Sequence, residues 1–329
     1  VTALPPGATG ASERTRPAGL VGSVLRKEDP VRRTVRSTVL ALVLGTAAAV
    51  AAPPAWADGE SAAHYKQGLA FKNQGKDDEA IASFEKAVSA DARHAMAWAS
   101  LGHLYKKRKD YQKAVAAYEQ ASRLMQKDAV VWANLGMAYY RVDRMDDALA
   151  ALEKACRLNP KDAETRSNIG VIKRKKGDNE GAIVQLRWAV KLAPGEASYH
   201  NNLGVALRAG GKLDEAAASF GKAIELQPNL ADYHFNLAVV YRRQEEVEKA
   251  IAAYEKAVSL AADYADAWYD LGHMYKLNHD NDKAVEAFNA YLELNKGKDA
   301  EAQKNVEAEI EALGGTPATK PAPKKKKKK

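Results

Sequence analysis

The chain has 329 residues, of which 46% are apolar and 28% charged, a composition typical of a folded protein with a core to bury. Its single cysteine, Cys156, excludes an intramolecular disulfide and a cysteine-cluster metal site. The formal charge of +8 comes from the two ends, because residues 58–313 carry 36 basic and 39 acidic side chains. The basic balance is therefore no evidence for a nucleic-acid-binding domain.

The N-terminal segment has the pattern of an export signal. Three arginines precede a 14-residue apolar stretch from Val39 to Ala52, and the segment ends in Ala55-Trp56-Ala57. A basic head, a short apolar run and an A-x-A ending predict a secretory signal peptide over residues 31–57, cut before Asp58. The apolar run is shorter than the roughly 18 residues of a membrane span, and an uncleaved amphipathic anchor is the alternative.

Residues 1–30 are rich in Pro, Gly, Ala and Arg and show no apolar periodicity. They begin with valine rather than methionine, and one hypothesis is that translation starts at Val31, through a start codon read as valine. Residues 1–30 would then be untranslated, and otherwise we expect them to be disordered. The signal itself predicts export, to a bacterial periplasm or cell envelope.

The body of the chain, residues 58–298, repeats every 34 residues. An alanine recurs at this spacing without a gap, and it is numbered here as slot 20 of each unit. Slot 8 is glycine in six units and alanine in one, and slot 24 is always a large apolar residue. A fixed period of this kind is typical of proteins in which each unit buries its apolar face against its neighbours. The seven units are 61–94, 95–128, 129–162, 163–196, 197–230, 231–264 and 265–298.

Each unit is predicted to contain two helices. Slots 4, 7, 8 and 11 fall on one helical stripe at about 100° per residue, and slots 20, 24 and 27 form a second stripe. A turn-forming break such as Gly75-Lys76-Asp77 separates the two stripes, and proline at slot 32 ends the second helix in three units. Small residues at slots 8, 20 and 27 let the two helices approach each other, while bulky residues fill the space between them.

These residues resemble the tetratricopeptide repeat (TPR). The W-x-x-L-G-x-x-Y motif of that family is complete in three units, as Trp98 to Tyr105, Trp132 to Tyr139 and Trp268 to Tyr275. Slot 4 departs to His or Arg in the other four units. The resemblance implies an all-α fold, a right-handed α-solenoid of helix-turn-helix units.

A charged helix is predicted over residues 299–313, where its polar outer face suits a terminal cap. Residues 314–329 follow as a Pro-rich segment that ends in six lysines, Lys324–Lys329. Like charges repel each other, so this tail is predicted to be disordered. In an exported protein the lysines would attract an anionic envelope surface, or would only keep the chain soluble, and nucleic acid is disfavoured as a partner.

The sequence offers no catalytic constellation. It contains no paired nucleophile and base, no phosphate-binding glycine loop and no metal-spaced cluster, so we expect no enzyme activity, cofactor or metal. His64, His200 and His234 share slot 4, where inward packing is the simpler interpretation. Cys156 at slot 28 is interpreted as a small buried core residue. A glycosyltransferase with a TPR arm is excluded, because too few residues remain outside the repeats and the signal.

Asparagine recurs on the other side of the first helix. Slot 6 is asparagine in four successive units, although asparagine inside a helix is about half a kcal/mol less favourable than alanine. Its amide can both donate to and accept from a peptide backbone. The pattern is similar to the asparagine ladder of superhelical TPR proteins that hold an extended peptide by its main chain. That resemblance implies that four residues face the concave groove, namely Asn134, Asn168, Asn202 and Asn236.

Cations recur at the end of the first helix. Slots 12 and 13 place at least one Lys or Arg in every unit. Such residues can simply offset the helix dipole. Together with the asparagines, however, they favour a groove that accepts an extended, partly acidic peptide or a C-terminal carboxylate. The predicted binding cations are Lys72, Lys106, Arg141, Arg174, Arg208, Arg242 and Lys276.

The sequence thus predicts a non-enzymatic scaffold for protein–protein interaction that takes part in assembling complexes of the cell envelope. Its partner is predicted to be an extended segment of another protein. Two alternatives stay open: a TPR module that associates with further copies of itself, and an envelope-surface binder that acts through its lysine tail.

Overall fold

The computed structural model describes residues 55–319, with side chains from residue 59 onward. The predicted segment 1–30, most of the predicted signal peptide and the six lysines lie outside the described residues. Regular structure in the described range is entirely α-helical, which confirms the predicted all-α fold. The helices are α1 (Ala55–Asn73), α2 (Asp77–Ala90), α3 (Ala95–Lys107), α4 (Tyr111–Leu124), α5 (Ala129–Arg141), α6 (Met145–Leu158), α7 (Ala163–Lys175), α8 (Asn179–Leu192), α9 (Ala197–Ala209), α10 (Leu213–Leu226), α11 (Ala231–Arg243), α12 (Val247–Leu260), α13 (Ala265–Leu277), α14 (Asn281–Asn295) and α15 (Ala300–Ala312).

The helices alternate as the repeat pattern predicts. The odd-numbered helices α1 to α13 are the first helices of the seven units, called A helices here, and α2 to α14 are the B helices. The chain divides into two compact units between Pro160 and Lys161, which carry α1–α6 and α7–α15. Within each compact unit every A helix packs on its own B helix, and each B helix also contacts the A helix that follows. This stacking of helix pairs is the solenoid arrangement expected from the sequence.

Slot 8 is where the two helices of a unit come closest together. A Cβ atom on Gly136 would lie 2.6 Å from Cγ of Leu152 and 3.0 Å from the backbone oxygen of Ala148. The other five slot-8 glycines meet the slot-24 side chain of their unit in the same way, at 2.5–2.8 Å. Glycine at slot 8 and a large residue at slot 24 are therefore two sides of one contact.

Slot 15 ends every A helix in the left-handed backbone region, with φ between 61° and 85°. The N–H of the next residue then donates to the carbonyl of slot 11, as from Asp110 to Tyr105 at 2.9 Å. This is the Schellman closure, which reverses the chain towards the B helix. The slot-15 residues are Gly75, Lys109, Asp143, Gly177, Gly211, Glu245 and His279.

In five units, slot 4 tethers the A helix to the loop before it. Trp132 Nε1 donates to the carbonyl of Gln126 at 3.1 Å, and His200 Nε2 lies 2.9 Å from the carbonyl oxygen of Pro194. The same contact, from slot 4 to slot 32 of the preceding unit, recurs at Trp98, Trp268 and His234. Histidine therefore replaces tryptophan as an N–H donor. The three tryptophans are only partly buried, so slot 4 lies at the edge of the predicted core stripe.

Tyrosine at slot 11 links successive units. The hydroxyl of Tyr139 donates to Oε1 of Glu119, at slot 25 of the preceding unit, at 2.7 Å. The same pair is formed by Tyr105 with Glu85 and by Tyr275 with Glu255. Burial, followed by the hydrogen bond to Glu119, raises the pKa of Tyr139 to about 12, so this donor keeps its proton at physiological pH.

Helix α15 covers the end of the last repeat, as predicted for residues 299–313. Val306 and Ile310 are buried among the residues of α13 and α14. The chain beyond the helix differs from the predicted disorder in its first residues. Pro317 is buried, and Asn289 accepts a hydrogen bond from the Ala318 N–H at 2.7 Å. Residues 317–319 are therefore held against the last repeat.

Candidate functional site

The surface of the A helices that points away from the B helices is called the A face here. It comprises slots 2, 5, 6, 9, 12 and 13, which lie on the far side of the helix from the slot-8 contact by the helical angle of 100° per residue. All of the binding residues predicted from the sequence lie on this surface, since they occupy slots 6, 12 and 13.

On α1, α3 and α5 the A face is apolar and exposed along slot 2. The side chains of Met96 and Val130 are 50% and 68% exposed, at equivalent places in neighbouring units. Ala99, Ala133 and Met137 lie partly exposed beside them. Large apolar side chains at this exposure are frequent at protein–protein contact sites when they occur together.

From residue 61 onward, the same three helices carry only positive charge on this side. Residues 61–73, 95–107 and 129–141 contain no Asp or Glu. Partial burial, and then the nearby charges of Lys72, Lys106 and Lys107, lower the pKa of His103, which lies among them at slot 9. The A face of α1, α3 and α5 therefore combines apolar contact area with a positive field. Its cations are Lys66, Lys72, Lys106, Lys107 and Arg141.

The structure joins the predicted asparagines and cations to each other. Nζ of Lys106, at slot 12, donates to Oδ1 of Asn134, at slot 6 of the next unit, at 2.7 Å. The Asn134 amide nitrogen donates to the Val130 carbonyl of its own helix at 3.0 Å. The same step from slot 12 to the next slot 6 joins Arg208 to Asn236 at 3.5 Å. Within each compact unit, a predicted asparagine and a predicted cation thus meet between successive A helices.

Around α9, in the second compact unit, these contacts are enclosed. Helix α9 contacts both α7 and α11, and the nine residues from His200 to Arg208 are all buried. Asn202 and Asn236 expose only 7% and 6% of their surface. Their amides donate to Ser167 Oγ at 3.2 Å and to Asn201 Oδ1 at 3.0 Å. These contacts lie between repeats, and a ligand role for the two residues stays a prediction.

The last unit replaces the asparagine with a carboxylate, Asp270. Arg242 Nη1 lies 3.1 Å from Oδ1 of Asp270, and the Tyr254 hydroxyl donates to Oδ2 at 2.9 Å. Burial raises the pKa of Asp270, although Arg242 and Tyr254 oppose the shift. Lys276 pairs with Glu309 on α15. Two of the predicted binding cations are therefore engaged by carboxylates of their own chain.

The remaining predicted residues are partly exposed. Lys72, Asn168 and Arg174 are half-buried on their A helices. The guanidinium of Arg141 lies 5.7 Å from the centre of the Tyr111 ring. Ligand binding by any of the eleven predicted residues stays a prediction, but their geometry differs between the two compact units.

The absence of Asp and Glu from residues 61–73, 95–107 and 129–141 was not among the features predicted from the sequence. The signal was present, because α3 and α5 and residues 61–73 can be scanned for Asp and Glu directly. Along the chain, acidic residues of the intervening B helices balance the cations of the A helices, so the charge pattern is not visible in the linear sequence. An example is the first turn of α2, with Asp77, Asp78 and Glu79. Sorting charges by helix face, rather than along the chain, would have found it.

Within residues 59–319, no three His, Cys, Asp or Glu side chains are placed to hold a metal ion. Nor does the described part of the chain contain a helix with the length and hydropathy of a membrane span. Cys156 is half-buried rather than fully enclosed.

Two family models match the chain. The first, described as the cilia and flagella-associated protein 70 C-terminal domain, matches residues 21–268, which is more than half of the chain. The second, described as a tetratricopeptide repeat, matches residues 253–286. A comparison with curated proteins found no match.

Solved TPR structures are similar to the chain. YrrB, described as a TPR protein with an unusual peptide-binding site, is 26% identical with a TM-score of 0.50, over 56% of this chain and 95% of its own. A TPR protein fragment from Cytophaga hutchinsonii is 18% identical with a TM-score of 0.60, over 73% and 98%. PilF from Pseudomonas aeruginosa is 18% identical with a TM-score of 0.52, over 63% and 94%, and at this identity the last two show the fold alone. From its repeats, its helix pairs and these matches, the chain belongs to the tetratricopeptide-repeat family, whose members are scaffolds for protein interaction.

Proposed function

We propose that the A face of α1, α3 and α5 binds an extended segment of a partner protein that carries both acidic and apolar side chains. The protein would act as a non-enzymatic scaffold that brings this partner into a complex. Of the residues predicted from the sequence, Lys72, Lys106, Asn134 and Arg141 belong to this surface.

One observation carries the proposal. Five cations and no carboxylate lie on residues 61–73, 95–107 and 129–141 of the A helices, around exposed Met96 and Val130. One of the five, Lys107, is paired with Asp77 of α2, so four cations carry the positive charge of this surface. Complementary charge speeds association and excludes partners of the wrong sign, while apolar contacts supply most of the binding free energy. A segment with carboxylates spaced between apolar side chains matches both properties.

The likeness to YrrB supports the same kind of ligand. YrrB is described as having a peptide-binding site, and the similarity covers 56% of this chain. Main-chain recognition would add to the affinity, because the Asn134 amide and the lysine ammonium groups can hydrogen-bond to a peptide backbone.

The place of action is proposed from the sequence alone. The signal pattern in residues 31–57 supports export and a role in cell-envelope assembly. Helix α1 begins at Ala55, so cleavage before Asp58 would remove three residues of that helix. N-terminal sequencing of the protein recovered from cells would test this, with Asp58 as the expected first residue.

Binding can be measured with a fluorescent 12-residue peptide of alternating Glu and Leu. We expect Lys72→Glu combined with Lys106→Glu to weaken its affinity about tenfold or more, which corresponds to about 1.4 kcal/mol. The matched control is Lys86→Glu, a charge reversal on the exposed side of α2. It should change the affinity less than about twofold, as expected of an isolated surface charge.

Two results would refute the proposal. A peptide of alternating Lys and Leu that binds as tightly as the Glu and Leu peptide would show that charge does not select the ligand. Equal loss of affinity in Lys86→Glu and in the double variant would show that the A face is not the site. Circular dichroism melting curves of each variant check that the fold is kept.

A further inference from the structure

Helix α8 differs from the other B helices on its outward side. Val184 and Trp188, one helical turn apart, are 52% and 44% exposed. Side chains at this spacing lie next to each other on one face of a helix. Tryptophan is enriched at the centres of binding sites, so an exposed tryptophan beside an exposed valine marks this part of α8 as a candidate contact surface.

The repeats provide an internal comparison for these two positions. At slot 26, where α8 has Trp188, four other units have lysine, one has glutamine and one has alanine. At slot 22, where α8 has Val184, five other units have alanine and one has glutamate. The repeat fold is therefore built without apolar bulk at either slot, and stability does not account for these two residues.

The charges beside this pair are also changed. Slot 25 is glutamate in four units, but it is Arg187 in α8. The Trp188 ring has Arg166 at 5.2 Å and Lys191 at 4.8 Å from its centre. Both cations lie within the range of a cation–π contact, so positive charge is held around the exposed indole.

Two acidic groups near this pair are engaged by cations of the chain. Oε1 of Glu180, one turn before Val184, lies 3.0 Å from Nζ of Lys212. Glu215 lies 2.5 Å from the guanidinium of Arg187. An apolar centre bordered by Arg166 and Lys191 would attract a partner with carboxylates and repel one with cations.

We propose that Val184, Trp188, Arg166 and Lys191 form a second docking surface, here the α8 patch, for an acidic segment of a partner protein that places an apolar side chain on the indole. Val184, Trp188 and Lys191 lie on α8 and Arg166 lies on α7, so the α8 patch shares no residue with the A face of α1, α3 and α5. The protein would then hold two acidic segments at once.

The test uses the full chain labelled with 5-fluorotryptophan, whose fluorine NMR resonances report each indole separately. Trp188→Lys assigns the Trp188 resonance, and the repeat fold accommodates lysine at slot 26 in four other units. The probe is the 12-residue peptide of alternating Glu and Leu, with its Lys and Leu counterpart as the control. We expect the Glu and Leu peptide alone to shift the Trp188 resonance, and to do so saturably.

Variants separate this surface from the A face. The Trp188 shift should persist in the Lys72→Glu and Lys106→Glu double variant, although this variant binds the peptide only weakly at the A face. Val184→Ala, which restores the residue of five other units, should weaken the Trp188 response about threefold or more. Lys222→Ala, at slot 26 of the next unit, should leave it unchanged.

Three outcomes would overturn the proposal. In the first outcome, the Trp188 resonance does not move even at peptide concentrations that saturate binding at the A face. The Lys and Leu peptide shifts it equally. Or the resonance moves with protein concentration in the absence of peptide, which would identify a second copy of this chain as the occupant instead.

Discussion

In six of the seven repeats, glycine at slot 8 sets the distance between the two helices, because it has a hydrogen atom in place of a side chain. At Gly136 the space of a methyl group is already filled by Leu152 and by the backbone oxygen of Ala148. The side chain could rotate, but the backbone oxygen belongs to α6 and cannot move alone. Close packing of this kind leaves no room for a single added carbon.

We expect Gly136→Ala to lower the free energy of unfolding by about 1–3 kcal/mol, because the added methyl group forces α5 and α6 apart. Gly221→Ala is the matched control. Gly221 lies inside α10 with nothing within 4 Å of its Cβ position, so alanine should stabilise the helix by about 0.8–1 kcal/mol. Urea denaturation of both variants measures the two effects, and equal signs would contradict this account.

Asp270 occupies slot 6, where four other units have asparagine, but unlike asparagine it carries a titratable group. Its side chain is 13% exposed, and the cost of burying a carboxylate outweighs the help of Arg242 and Tyr254, so its pKa is raised. The folded chain therefore holds this proton more tightly than the unfolded chain does. Stability from this group is lost as the pH rises from the ordinary pKa to the raised one.

Asp270→Asn tests that sign. Asparagine is the residue of slot 6 in four other units, and it keeps an oxygen that can accept from Arg242. We expect the stability of the variant relative to the original chain to increase as the pH rises from about 4, the ordinary Asp pKa, and then to level off. Thermal melts across this range measure it. Parallel pH profiles for the two proteins would contradict the assignment.

At the scale of elements, a set of polar contacts between one helix pair and the next recurs at fixed slots. Slot 4 donates to the slot-32 carbonyl before it, slot 11 donates to the slot-25 carboxylate before it, and slot 12 donates to slot 6 after it. Each contact is modest alone, since a hydrogen bond contributes about 1 kcal/mol net. Their repetition fixes the register of the stack.

The slot-4 tether can be tested at His200. His200→Phe keeps a ring but removes the N–H donor to the Pro194 carbonyl, so we expect a loss of about 0.5–1.5 kcal/mol. His200→Trp restores a donor, and tryptophan fills slot 4 in three other units, so it should lose less stability than His200→Phe. Chemical denaturation compares the variants. A phenylalanine variant as stable as the original would show that the tether does not matter.

At the scale of the whole molecule, stability is expected to be local. Each helix pair contacts only its neighbours, so a weakened repeat should open without unfolding distant ones. Helix α15 covers the last helix pair as a further repeat would, and its Ile310 is fully buried against α13 and α14. The cap therefore protects one end of the second compact unit.

Removing that protection gives a spatially resolved prediction. We expect Ile310→Ala to cost about 2–5 kcal/mol locally, through lost contacts and a cavity. Hydrogen exchange should speed up in α13, α14 and α15, while α1–α6 keep their protection. Glu311→Ala, an exposed neighbour on the same helix, is the control. Equal acceleration throughout the chain would show that the repeats unfold together.

The sequence by itself determined the helices, the seven units and the closing helix. This was possible because the relevant information is local and repeated. A 34-residue period, glycine at slot 8 facing a bulky slot 24, and turn residues at slot 15 each act within one unit. Seven copies of the same pattern made the assignment of fold independent of any single residue.

Only the tertiary structure decided which polar slots stay open to a ligand. The asparagines at slot 6 look equivalent in sequence, yet Asn134 is partly exposed while Asn202 and Asn236 are buried. The physical reason is that exposure depends on how closely neighbouring A helices approach, and α9 is in contact with both α7 and α11. That distance is set by side chains from several repeats at once, so no single unit encodes it.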